Sequence, residues 1–101
     1  MIVAFVPDLM DRSKITATGA DVQFVSAPAA LEAAAARATL VVVDLSRPGV
    51  LDVLPALAGR RVIGFGSHVD RDLLDRARAA GCTEVLARSA FFARVGELLT
   101  S

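Results

Sequence analysis

Few side chains in this 101-residue chain have the types and spacing to do chemistry: Asp8, Asp44, Ser67, His68, Asp70, Cys82 and Arg88. Asp44 stands out because of what surrounds it. Leu40-Val41-Val42-Val43 is a continuous apolar run rich in β-branched residues, which suits a strand covered on both faces. Asp44 ends that run, and Pro48-Gly49 closes the stretch that follows. In open parallel α/β sheets, ligand and reaction sites lie outside the carboxyl ends of the strands, so a carboxylate at that point is a candidate on position alone. The structural alternative is that Asp44 accepts hydrogen bonds from the next turn. Asp8 is in a comparable place, after the apolar run Ile2-Val3-Ala4-Phe5-Val6 and the strand-stopping Pro7. Its structural alternative is to cap a first helix. Two such carboxylates, with water completing the shell, would suit a hard divalent ion such as magnesium.

The other constellations carry less. Ser67, His68 and Asp70 have the residue types of a hydrolase triad but are near neighbours on one loop, where convergence in space is uncommon. Gly64-Phe65-Gly66-Ser67 has two glycines of a dinucleotide fingerprint, without the third and after the wrong strand. The helix start near Asp70 offers backbone amides to an anion. Cys82, after a glycine, reads as a small buried filler.

Five strand-like runs alternate with helix-like stretches and would bring these residues to one edge. The strands are Ile2–Val6, Val22–Val25, Val41–Asp44, Val62–Gly66 and Glu84–Ala87. A short first helix is expected from Leu9 to Thr18, ended by Gly19. A second, alanine-rich helix from Leu31 to Ala38 has Ser26 available as its cap and Pro28 in its first turn. Val50, Leu51, Leu54 and Leu57 recur at helical spacing, with Pro55 shortening that helix. Asp70 or Asp72 starts a fourth helix with outer pairs Asp72/Arg76 and Asp75/Arg78. Ser89 is expected to cap the last. Strands alternating with helices imply right-handed crossovers and a parallel sheet covered on both faces, a three-layer α/β/α sandwich. In the strand order 2-1-3-4-5, the switch point falls between the first and third strands and brings Asp8 and Asp44 together.

Composition narrows the function. The length suits one domain over residues 1–101. Eleven basic residues balance eleven acidic ones, which leaves no electrostatic footprint for nucleic acid or an anionic membrane. A single cysteine excludes an internal disulfide, and no apolar run is long enough to span a bilayer. A cytoplasmic location is expected.

The segment Val42-Val43-Asp44-Leu45-Ser46-Arg47-Pro48-Gly49 resembles the phosphoacceptor segment of receiver domains of two-component response regulators, and the resemblance extends through the whole chain in element order. It implies a flavodoxin-like fold, Asp44 as the phosphoacceptor position, magnesium held near Asp8 and Asp44, and a signalling role through protein contact. The departures bear on activity. The usual acidic pair after the first strand reads Pro7-Asp8, the hydroxyl residue ending the fourth strand is Gly66 with Ser67 one residue later, and the family's lysine is Arg88. Arginine keeps the charge but presents a planar fork in place of a compact ammonium. Phosphoryl transfer depends on positioning and charge neutralisation, so losing a metal ligand and the hydroxyl together impairs it.

The expectation is therefore a stand-alone pseudo-receiver, a non-enzymatic interaction module with an unidentified protein partner and no cofactor. One alternative is an active receiver phosphorylated on Asp44 with magnesium; another is a small-ligand or anion binder using the loop from Gly66 to His68. The adjacent Phe91 and Phe92 cannot both face the sheet squarely, so one of them is expected at the margin of the buried arc, forming with Ala90, Ala93 and Leu99 an exposed apolar patch through which the last helix pairs in a homodimer; the alternative is a broad core face with one partly exposed ring.

Overall fold

The computed structural model describes residues 1–100. Five strands form a single sheet in the order β2-β1-β3-β4-β5, with every neighbouring pair parallel. They are β1 (Ile2–Phe5), β2 (Val22–Phe24), β3 (Leu40–Asp44), β4 (Arg61–Gly66) and β5 (Glu84–Ala87). The central strand β3 is buried along its whole length, as an apolar run with both faces covered requires.

Alternation along the strands sorts the core into two layers. Val3, Phe5, Val41, Val43 and Val62 face one way, where they pack with Leu31, Leu54, Leu57 and Leu74. These partners come from α2 (Leu31–Ala34), the segment of α3 (Val50–Val53) with the 3₁₀ turn after it, and α4 (Arg71–Ala79). Ala4, Val6, Val42, Ile63 and Phe65 face the other way, against Ile15, Phe91, Leu98 and Leu99. That second layer is covered by α1 (Leu9–Thr16), α5 (Arg88–Ala93) and α6 (Val95–Thr100). Three layers and the 2-1-3-4-5 order agree with the sequence reading.

The helices depart from it in detail. The alanine-rich segment is not one helix: a 3₁₀ turn at Pro28–Ala30, the four-residue α2 and a second 3₁₀ turn at Ala35–Arg37 follow one another. Ser26 is not its cap, because the segment begins at Pro28 and the cap position falls on Ala27, which makes no side-chain cap bond. Alanine favours helix, but only Leu31 and Ala35 are buried there, so little packing reinforces propensity. Pro55 has the expected effect, with α3 stopping at Val53 and a 3₁₀ turn over Leu54–Leu57. Asp70 caps α4 through its side chain, which accepts from Leu73 N at 3.2 Å.

The last helix also differs. It starts at Arg88, directly after β5, so Ser89 lies inside it and Ala87 occupies the cap without a side-chain bond. It is interrupted at Arg94, which adopts φ −118° and ψ 12°. Val95 and Gly96, both poor helix formers, follow at the break.

Candidate functional site

The carboxyl edge of the sheet gathers three carboxylates with the guanidinium groups of Arg47 and Arg88 among them, and a third guanidinium, that of Arg12, donates to Val6 O at 2.6 Å and lies over Phe24. Asp44, at the end of β3, is 3% exposed. Its Oδ1 accepts from Ser46 N at 3.0 Å and from Ser46 Oγ at 2.6 Å, and its Oδ2 accepts from Arg47 Nε at 3.3 Å. The turn that supplies these donors is fixed at both ends. Leu45 N donates to Phe65 O at 2.9 Å, and Gly49 takes φ +86°, a conformation that favours glycine. The Leu45 side chain lies across β4 where Gly64 leaves room: a Cβ on Gly64 would come within 2.8–2.9 Å of three Leu45 carbons. The glycine in the middle of β4 thus marks a close approach.

Asp8 is exposed and caps α1, its Oδ1 accepting from Asp11 N at 3.0 Å. That bond, foremost, holds its carboxyl below the usual 3.8; slight desolvation opposes the shift, and the positive charges of Arg88 and Arg47 add to it. Both carboxylates singled out in the sequence therefore take the structural roles weighed against their chemical ones.

The residue that the sequence reading missed is Asp11. It lies on the inner face of α1, one helical turn before the buried Ile15, and is 1% exposed. Arg88 Nη2 donates to its Oδ1, while Oδ2 is buried without a hydrogen-bond partner. The spacing of Asp11 and Ile15, four residues apart on a helix, was the available signal: a carboxylate on a core-facing stripe calls for a cationic partner. Arg88 meets Asp11 from the first turn of α5, and its guanidinium lies 5.8 Å from the centre of the Phe65 ring and 5.1 Å from that of Phe92. The hydrogen bond to Asp11 holds this guanidinium in its charged form more firmly than usual; desolvation opposes it, and the negative charges of Asp11, Asp44 and Asp8 reinforce it.

The remaining candidates are not drawn together. Gly66 ends β4, buried and paired with Ala87. Ser67 is exposed and its Oγ accepts from Val69 N at 3.4 Å within its own turn. With Asp70 capping α4, the loop from Ser67 to Asp70 builds no triad. Cys82 is half-buried, and burial pushes its thiol up to about 11, which suits a filler. Phe91 and Leu99 are not part of an exposed apolar patch: they are 0% and 6% exposed, in the core under α5 and α6. Phe91 stacks on Phe65 at 4.7 Å, and the half-buried Phe92 packs edge-on against both rings. The helix is interrupted at Arg94 between Phe91 and Leu99, and both residues face the same core layer.

Magnesium takes several oxygen ligands in near-octahedral geometry. Among the described residues no group of three His, Cys, Asp or Glu side chains is placed to hold a metal. Both oxygens of Asp44 are bonded to the following turn, one oxygen of Asp8 to the start of α1, and one of Asp11 to Arg88. As arranged, these residues do not form a magnesium cradle.

A doubly wound parallel sheet with acidic residues at its switch point defines a flavodoxin-like α/β protein. Within that class, the fold is that of response-regulator receiver domains. The chain superimposes on a response regulator from Hahella chejuensis with a TM-score of 0.82 and 17% identity, over 98% of this chain and 91% of that one. It also matches a response regulator receiver domain from Rhodospirillum rubrum, with a TM-score of 0.67 and 19% identity, over 96% and 89% of the two chains. No protein-family model matches the sequence, and no curated protein does. The receiver-like fold read from the segment around Asp44 is thus present at low sequence identity. No helix among the described residues is long and apolar enough to cross a membrane.

Proposed function

We propose that this receiver-like domain is a pseudo-receiver: a signalling module that acts through protein contact and is not switched by phosphorylation of Asp44. The observation that carries the reading is the engagement of the rim. Asp44 is 3% exposed with both oxygens hydrogen-bonded to its own turn, and Arg88 is taken by Asp11. A phosphoacceptor needs a free oxygen as nucleophile and charges positioned to receive the transferred group. Contact at the rim is supported by Leu9, Met10 and Val69, large apolar residues 73–75% exposed on the first turn of α1 and the β4–α4 loop. Apolar side chains exposed beside a charged rim suit a protein partner.

The test is incubation with acetyl phosphate and magnesium followed by intact mass measurement. The unmodified mass is expected. Addition of one phosphoryl group, abolished by Asp44→Ala, would instead establish an active receiver.

A further inference from the structure

At this receiver-like rim, Asp11, Asp44 and Asp8 all act on the guanidinium of Arg88, so the positive charge they meet is supplied from within the chain. We infer that the guanidinium groups of Arg88 and Arg47 are fixed internal cations standing in for a bound divalent metal, so that the site is closed to magnesium. The inference rests on the pseudo-receiver reading and names how the site is held.

Arg88 binds Asp11 directly and feels the charges of Asp44 and Asp8. Arg47 binds Asp44, and its charge also reaches Asp8. Two monovalent guanidinium groups carry the same total charge as one divalent ion, but they are tethered and cannot dissociate. A metal entering here would meet their repulsion and would have to displace donors already in place.

Asp11 is what commits Arg88 to this arrangement. Its carboxylate is 1% exposed with one oxygen unpartnered, so Arg88 is its one side-chain partner among the described residues. A buried carboxylate that loses its partner is costly. The pair therefore holds the guanidinium at the rim, where it also lies against the Phe65 and Phe92 rings.

The experiment measures Mn²⁺ binding by electron paramagnetic resonance, with Mg²⁺ as competitor, in the wild-type chain, in Arg88→Met and in Arg47→Met. The wild type is expected to leave Mn²⁺ free. Arg88→Met is expected to bind at least about tenfold more tightly, because a unit of positive charge has left the carboxylates, and a further Asp44→Asn change is expected to abolish that site. If Arg88→Met fails to fold with Asp11 left unpaired, Arg47→Met, which removes the other cation and frees Asp44 Oδ2, is expected to gain Mn²⁺ binding through Asp8 and Asp44. Wild-type binding that Asp44→Asn abolishes would overturn the inference, as would folded variants that gain none. The two readings can fail separately. Phosphoryl uptake by a wild type that excludes Mn²⁺ refutes the pseudo-receiver, whereas Mn²⁺ binding without phosphoryl uptake refutes only the internal cations.

Discussion

The Asp11–Arg88 pair joins a carboxylate buried to 1% with a guanidinium whose side chain is 46% exposed, and the two ends respond differently to mutation. Arg88→Ala strands the buried carboxylate and is expected to cost about 1–3 kcal/mol, the range for a buried polar group left unpaired. Asp11→Ala leaves Arg88 able to turn to water and is expected to cost less. Urea denaturation of both variants checks the asymmetry; equal losses would mean that the pair does not bear the cost through Asp11. Asp8 carries a pH signature. Its folded carboxyl is shifted below 3.8, first by the Asp11 amide, so its stabilising effect is complete above that value and is lost as pH falls through the lower folded one. Asp8→Asn, which keeps a good cap but does not titrate, is expected to lose less melting temperature than wild type on acidification below about pH 4.

Individual elements differ in how firmly packing holds them. β4 accommodates Leu45 only because residue 64 has no side chain, so Gly64→Ala is expected to destabilise by about 1–3 kcal/mol through overpacking. At Gly66 an added Cβ would meet Leu74 Cδ2 at 3.4 Å, an ordinary contact, and Gly66→Ala is expected to be tolerated; thermal melts of the two variants should separate clearly. The alanine-rich segment, divided into three short turns with Leu31 and Ala35 as its buried residues, is expected to exchange its amide hydrogens much faster than β3, whose five residues are all buried. Few buried contacts mean inexpensive local opening, and uniform protection across both would contradict this.

At the scale of the whole molecule, the sheet and its two core layers were legible in the sequence because they depend on local signals: apolar runs, glycine and proline punctuation, and strand–helix alternation. Those signals also placed Asp8, Asp44 and Arg88 on one rim, since a parallel sheet sends every strand end to the same side. What they could not supply was which partners the side chains choose. The burial of Asp11 and its capture of Arg88 span 77 residues and depend on how α1 and α5 pack on one face of the sheet. Phe91 and Leu99 are likewise buried in one core layer from either side of the break at Arg94. The sequence by itself determined the alternating strands and helices and, through the resemblance around Asp44, the expected strand order and the residues brought to the rim. Only the tertiary structure decided that the charges there satisfy one another, because pairing is set by distances between helices that no local pattern encodes.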